Sequence, residues 1–311
     1  MAPTAHLPQT LTSPPPCVLH TLVSFPAPHV VLVTLNRPAQ LNCIPRPQHF
    51  ALDRLWDWYD AEPSLRCAVL TGAGRAFCAG ADLKEWDGIN ASAPSSSLSS
   101  SSSGRESESG KSSESGKESA YVKPSSRFPR TGFGALSNRA GLKPVIAAVN
   151  GVCFGGGMEM ALNCDLVIAS ESAQFALPEV TIGVIALAGA LPRLARCVGR
   201  QRAAEMALTG KRYGAREMLG WGIVNEVVEK KEGGVVAKAV EWARRIAGNS
   251  PDAVVVSREG LKLGWEGVGP EVGTDVLLNG WYYRIDGGEN MVEGVRSFVE
   301  KRKPVWKDSK L

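Results

Sequence analysis

Residues 145–162 read VIAAVNGVCFGGGMEMAL, and this stretch constrains the fold more than any other. A five-residue apolar run, Val145–Val149, predicts a buried strand, and Met158–Leu162 predicts a helix. Three consecutive glycines, Gly155 to Gly157, join them. Glycine lets the backbone come close to a ligand or a neighbouring chain, and a helix start leaves N–H groups unpaired. Such donors favour an anion. The same alternation recurs along the chain. Val30–Leu35 reads as a strand ended by Asn36-Arg37-Pro38, and Phe50–Tyr59 has helical spacing. Cys67–Thr71 and Leu166–Ala169 are two further strands. The pattern implies an α/β core. Beyond about residue 195 it turns helical, with Arg200–Leu208, Val235–Ala247, and a helix opening at Ser250-Pro251, where serine caps and proline takes the first position.

Two carboxylates stand out. Glu159 lies among Met158, Met160, Ala161 and Leu162, and Glu179 lies within Phe175-Ala176-Leu177-Pro178-Glu179-Val180. An unpaired carboxylate in apolar surroundings is costly, so both are candidates for raised pKa values and general acid/base work. Other chemistries fit poorly. All four histidines, His6, His20, His29 and His49, fall in the first fifty residues, and no GxSxG elbow exists, which disfavours a serine hydrolase. Gly72-x-Gly74 is followed by Phe77 where a dinucleotide fingerprint needs its third glycine. Gly110-Lys111-Ser112 has Arg105 at the first glycine of a phosphate loop and no strand before it. The seven cysteines form no CxxC pair and read as small apolar residues rather than a zinc or disulfide framework, so no metal is expected. No apolar stretch is long enough to span a membrane.

Residues 92–119 hold fifteen serines in twenty-eight positions, which cannot bury enough apolar surface to offset the ordering entropy. A disordered surface insert is therefore expected at about 90–127. The proline-rich start, residues 1–17, is expected to be a disordered lead-in without the character of a secretory signal.

KPVIAAVNGVCFGGGMEMALNCDLVIAS, followed by AQFALPEVTIG and preceded by FCAGADLKE, resembles the enoyl-CoA hydratase/isomerase, or crotonase, superfamily. The resemblance runs from about Val30 to Trp306, through SFVEKRK near the C-terminus. It implies an α/β fold that is a crotonase-like spiral of ββα repeats, with a core at 18–199, a C-terminal helical trimerisation region at 200–306 and a homotrimer or hexamer. It implies an oxyanion hole from the backbone N–H groups of Ala81 and Gly156, and catalytic carboxylates at Glu159 and Glu179. One carboxylate would activate water or receive it at the β-carbon, and the other would handle the α-carbon proton. An acyl-CoA thioester would be the substrate, coenzyme A being part of it and no separate cofactor being needed. Ala79, Ala81, Asp82, Leu83, Lys84 and Gly156 would bind it, and Lys301, Arg302 and Lys303 are further candidates for its phosphates.

Retention of both acids favours hydration and dehydration. A Δ3-Δ2 enoyl-CoA isomerase and a catalytically idle acyl-CoA-binding homologue are the alternatives. Leu187 stands where hydratases place a glycine that helps hold the catalytic water, so its bulk is expected to reshape the acyl pocket or displace that water. The segments LVSFPAPHVVLVTLNRP and WDWYDAEPSLRCAVLTGAG are similar to fungal peroxisomal members, including those that dehydrate mevalonyl-CoA in siderophore biosynthesis. The tail at 307–311 ends in Ser309-Lys310-Leu311, a tripeptide read as a peroxisomal address by an import receptor. The net charge of +4 resides in residues 301–311, which hold five cations and one anion. The other three hundred residues are neutral, which argues against a nucleic-acid partner.

Overall fold

A computed structural model describes residues 7–92, 128–229 and 234–311, so most of the serine-rich segment lies outside the described residues. Two sheets form the core. The larger has six strands in the order β1-β2-β3-β5-β7-β10: β1 Thr21–Ala27, β2 Val30–Leu35, β3 Cys67–Gly72, β5 Val145–Val149, β7 Leu166–Ser170 and β10 Glu226–Val228. Only the β1–β2 pairing is antiparallel. The smaller sheet, β4-β6-β8-β9, consists of β4 Ala76–Cys78, β6 Val152–Phe154, β8 Gln174–Ala176 and β9 Tyr213–Gly214. The chain passes from β3 to β4, from β5 to β6 and from β7 to β8, leaving the large sheet for the small one each time. The result is a spiral of ββ units with helices closing the turns.

The apolar runs are continuous because the large sheet is covered on both sides. In β5, Val145, Ala147 and Val149 face the main core, while Ile146 and Ala148 face the other side. There they meet Ala239, Val240 and Ala243 of helix α7 (Val235–Ala247). Helix α1 (Arg46–Ala61) packs on the main-core side through Leu52, Leu55, Trp56 and Tyr59, and the Tyr59 hydroxyl donates to Pro144 O at 2.8 Å just before β5. Helix α2 (Leu83–Ser92) follows β4, and its Glu85 accepts the Arg46 N–H at 2.8 Å, capping α1. Helix α3 (Gly156–Asn163) follows β6. Beyond β8 come α4 (Ala190–Val198), α5 (Arg200–Thr209), α6 (Ala215–Gly220) and, after α7, α8 (Pro251–Trp265), α9 (Pro270–Gly280) and α10 (Glu289–Val299). Ser250 Oγ accepts the Ala253 N–H at the start of α8, the cap expected from Ser250-Pro251.

The lead-in differs from expectation. From Leu7 onward the chain is described, and Thr12 docks on the end of α1, its N–H and hydroxyl donating to Glu62 Oε2 at 2.9 and 2.7 Å. Leu11 packs against the main core, and the Trp58 indole donates to Ser13. Glu62 is buried at the helix end, and these donors compensate its lost hydration. That partnership spans fifty residues and leaves no local signature.

Candidate active site

Gly155 adopts φ +53°, a left-handed turn open to glycine, and Glu159 N–H makes the first helical bond of α3 back to Gly155 O. A side-chain carbon at Gly156 would lie 2.5 Å from the Phe133 ring, so only glycine fits. Glu159 sits in the first turn of α3 and is 4% exposed. Its Oε1 accepts two backbone N–H groups, Ala188 at 2.8 Å and Ala190 at 3.3 Å. Burial pushes its pKa up to about 7; the negative charge of Glu179 adds to this, while the two amides and Arg193 act in the opposite sense.

Glu179 opens a 3-10 turn, Glu179–Ile182, directly after β8. Its pKa is also raised by burial. Among the described residues its buried Oε2 has no hydrogen-bond partner, and its Oε1 lies toward Gly155. The two carboxylates expected to work together are thus brought to the same corner, from α3 and from the turn after β8. Both hold protons more tightly than an exposed glutamate, which suits proton exchange near neutral pH.

The loop carrying Ala81 and the start of α3 come close together. A side-chain carbon at Gly80 would lie 3.3 Å from Gly156 N, so the loop before α2 abuts the start of α3. Among the described residues, neither the Ala81 nor the Gly156 N–H has an acceptor. Two donors without partners beside a buried and a half-buried acid are the arrangement that an anion site requires.

Other expected contacts are already committed. Asp82 pairs with Arg37 at 3.0 Å and bonds the first turn of α2. Burial opposes its charge, yet Arg37 and the backbone donors hold its pKa below the usual carboxylate range. Asp82 therefore fixes the loop. The Ala79 N–H donates to Leu41 O. Leu83 and Lys84 are exposed on the first turn of α2. Arg302 pairs at the surface with Glu293 and Glu300.

Leu187, the position expected to reshape the acyl pocket, lies just before the residues whose amides hold Glu159. Its side chain is 61% exposed, while Ala186 and Ala188 on either side are buried. The backbone here presents the Ala188 and Ala190 amides to Glu159, and neither amide belongs to Leu187. Sequence reasoning missed the groups that hold this segment. Ser137 Oγ donates to Ala188 O at 2.7 Å, and Arg193 donates to Gly189 O at 3.2 Å.

Comparison with known proteins is consistent with this geometry. Models of the enoyl-CoA hydratase/isomerase family match residues 30–103 and 135–309. A mevalonyl-coenzyme A hydratase of Beauveria bassiana is 56% identical over 97% of this chain and 100% of its own length. The chain belongs to the enoyl-CoA hydratase/isomerase family. As a member it is an acyl-CoA hydratase/dehydratase, a carbon–oxygen lyase. A mevalonyl-coenzyme A hydratase of Aspergillus fumigatus is 47% identical over 95% of this chain and 98% of its own. A crystal structure of enoyl-CoA hydratase from Bacillus anthracis superposes with a TM-score of 0.76 at 33% identity, covering 93% of this chain and 100% of that one. This likeness accounts for the spiral of ββ units and the helices that follow it.

Proposed function

We propose that this member of the family interconverts mevalonyl-CoA and its 2,3-dehydrated enoyl thioester. The observation that carries the reading is the buried Glu159 and the half-buried Glu179 beside the free Ala81 and Gly156 amides. Identity over the whole length of two mevalonyl-coenzyme A hydratases supports the choice of acyl group. In dehydration, one carboxylate takes the α-proton and the electron pair moves toward the thioester oxygen, where two amides stabilise the charge. Return of that pair forms the C2–C3 double bond as the C3–O bond breaks. The other carboxylate, protonated, gives its proton to the departing hydroxyl, which leaves as water. Hydration is the reverse. A few kcal/mol of barrier rest on each oxyanion donor. Coenzyme A enters as part of the substrate, and none of these steps calls on a metal or redox group.

Incubation of the purified protein with mevalonyl-CoA should generate enoyl thioester absorbance and a product lighter by one water. Retention of full activity by both Glu159→Gln and Glu179→Gln would falsify the mechanism. Running the reverse reaction in heavy-oxygen water separates it from a Δ3-Δ2 isomerisation, which incorporates no label.

Assembly and destination belong to the same proposal. Leu261 on α8 and Val272 and Val276 one turn apart on α9 are exposed in the single chain, apolar surface that assembly into a trimer or hexamer would bury, measurable by light scattering. Ser309-Lys310-Leu311 serves as a peroxisomal address for an import receptor. Ser309 Oγ donates to Asp252 at 2.6 Å and Lys310 pairs with Glu289 at 2.7 Å, so the receptor must open both contacts to read it. An N-terminally tagged chain lacking Leu311 should stay in the cytosol, and retained import would end this part of the proposal.

A further inference from the structure

His49 is buried in the first turns of α1, and none of the steps above uses it. Its Nδ1 accepts the Gly134 N–H at 2.9 Å, so the ring is neutral and carries its proton on Nε2. Burial lowers its pKa to about 4, which keeps it an acceptor throughout the working pH range. Two helical turns further on, the Trp56 indole donates to Gly134 O at 3.2 Å. Helix α1 thus holds both backbone groups of Gly134, which itself adopts φ +60°.

The turn held in this way, Phe133–Ala135, lies against the catalytic groups. The Phe133 ring packs edge-on against His49, with centroids 4.5 Å apart, and it also lies against Gly156. The Phe133 N–H donates to Ser137 Oγ at 2.7 Å, and Ser137 donates onward to Ala188 O. Ala188 in turn donates to Glu159. One short turn therefore backs the oxyanion glycine with an aromatic ring and, through a serine, fixes the segment that holds the buried acid.

We propose that His49 is a positioning residue for the reaction, locking the Phe133–Ala135 turn so that the Gly156 amide and Glu159 keep their mutual placement. The proposal rests on the reading of Gly156 as an oxyanion donor. In His49→Leu the Gly134 N–H is left buried without an acceptor and the turn can shift. In His49→Asn, Oδ1 stands at the same number of bonds from the backbone as Nδ1 and can accept that N–H.

The experiment compares these variants with the parent enzyme in two readouts. The first is steady-state turnover of mevalonyl-CoA, and the second is the absorbance of bound 4-(dimethylamino)cinnamoyl-CoA. That probe moves to longer wavelength as its thioester carbonyl is polarised, and needs no turnover. For His49→Leu we expect kcat about ten- to a hundredfold lower, KM within about threefold, and a smaller red shift of the probe. His49→Asn should restore most of both. Unchanged kcat and red shift in His49→Leu, or a change in KM alone, overturns the proposal. So does a His49→Asn variant as impaired as His49→Leu. Should His49→Leu not fold, Phe133→Leu tests the same contact by removing only the ring from Gly156, and an unchanged red shift there is equally fatal. Absence of any red shift in the parent enzyme refutes the oxyanion reading itself, whereas a normal shift in the parent that survives in the variants refutes only the role of His49.

Discussion

Replacing Glu159 by glutamine should abolish catalysis and at the same time stabilise the protein at alkaline pH. The carboxyl is 4% exposed, and its pKa rises on folding from the ordinary 4.5 to about 7. A folded-state pKa above the unfolded one means that the folded state binds the proton more tightly. The associated stability is fully present below pH 4.5 and is lost as pH rises through 7. At 1.36 kcal/mol per pH unit, the ionised side chain costs the folded state about 3 kcal/mol once both states are deprotonated. Glutamine carries no charge and keeps a carbonyl oxygen for the Ala188 and Ala190 amides, so it escapes this cost. Thermal unfolding of parent and Glu159→Gln, at fixed protein concentration from pH 5 to 8.5, measures the difference. The gap should be small near pH 5 and reach roughly 5–10 °C in favour of the variant near pH 8. A gap that does not change with pH, or a variant less stable at pH 8 than at pH 5 relative to the parent, would refute the claim that Glu159 is held in a raised-pKa state.

Arg37→Met should loosen the loop that carries Ala81, because Arg37 bonds both Cys43 O and the Asp82 carboxylate. The expected cost is about 1–3 kcal/mol in urea unfolding, with KM for the CoA thioester raised, and an unchanged KM would count against the loop-fixing role. For Thr12→Val, loss of the hydroxyl bond to Glu62 should cost about 1 kcal/mol by the same measurement, and no loss would mean that the first segment is not anchored there. Leu187→Ala should change stability by no more than about 0.5 kcal/mol, since its side chain is mostly in solvent. A loss of several kcal/mol would place that side chain in the core instead.

Four strands of the large sheet, β2, β3, β5 and β7, were readable because they are largely buried on both faces, whereas the partly exposed β1 and the three-residue β10 were not. Val145–Val149 and Cys67–Thr71 are apolar without alternation, and α7 covers the side that the main core does not. Helix α7 coincides with the run Val235–Ala247 for the same reason, since its small residues face the sheet. The small sheet was not legible. Strands β4, β6 and β8 have three residues each, too few to show a period of two, and their partners are residues 76, 152 and 174, far apart in sequence. Glu159 and Glu179 could be picked out because a charge in apolar sequence is conspicuous. The groups that tune Glu159 could not, because they are amides of two alanines, and an amide has no residue type.

The same point explains how the site accommodates Leu187. What Glu159 requires of residues 186–190 is the direction of two N–H groups. That direction is set by Gly189 at φ +120°, by Ser137 on Ala188 O and by Arg193 on Gly189 O. None of these depends on the side chain at 187. A leucine there is mostly exposed in the single chain, so its bulk leaves the two N–H groups on Glu159 undisturbed. Substitutions that redirect the backbone should therefore matter far more than substitutions of size. At Gly189 a side-chain carbon would lie 2.3 Å from the Arg193 guanidinium and 3.1 Å from Ser137 O, in a conformation that L-residues rarely adopt, so Gly189→Ala attacks the site where Leu187→Ala leaves it intact.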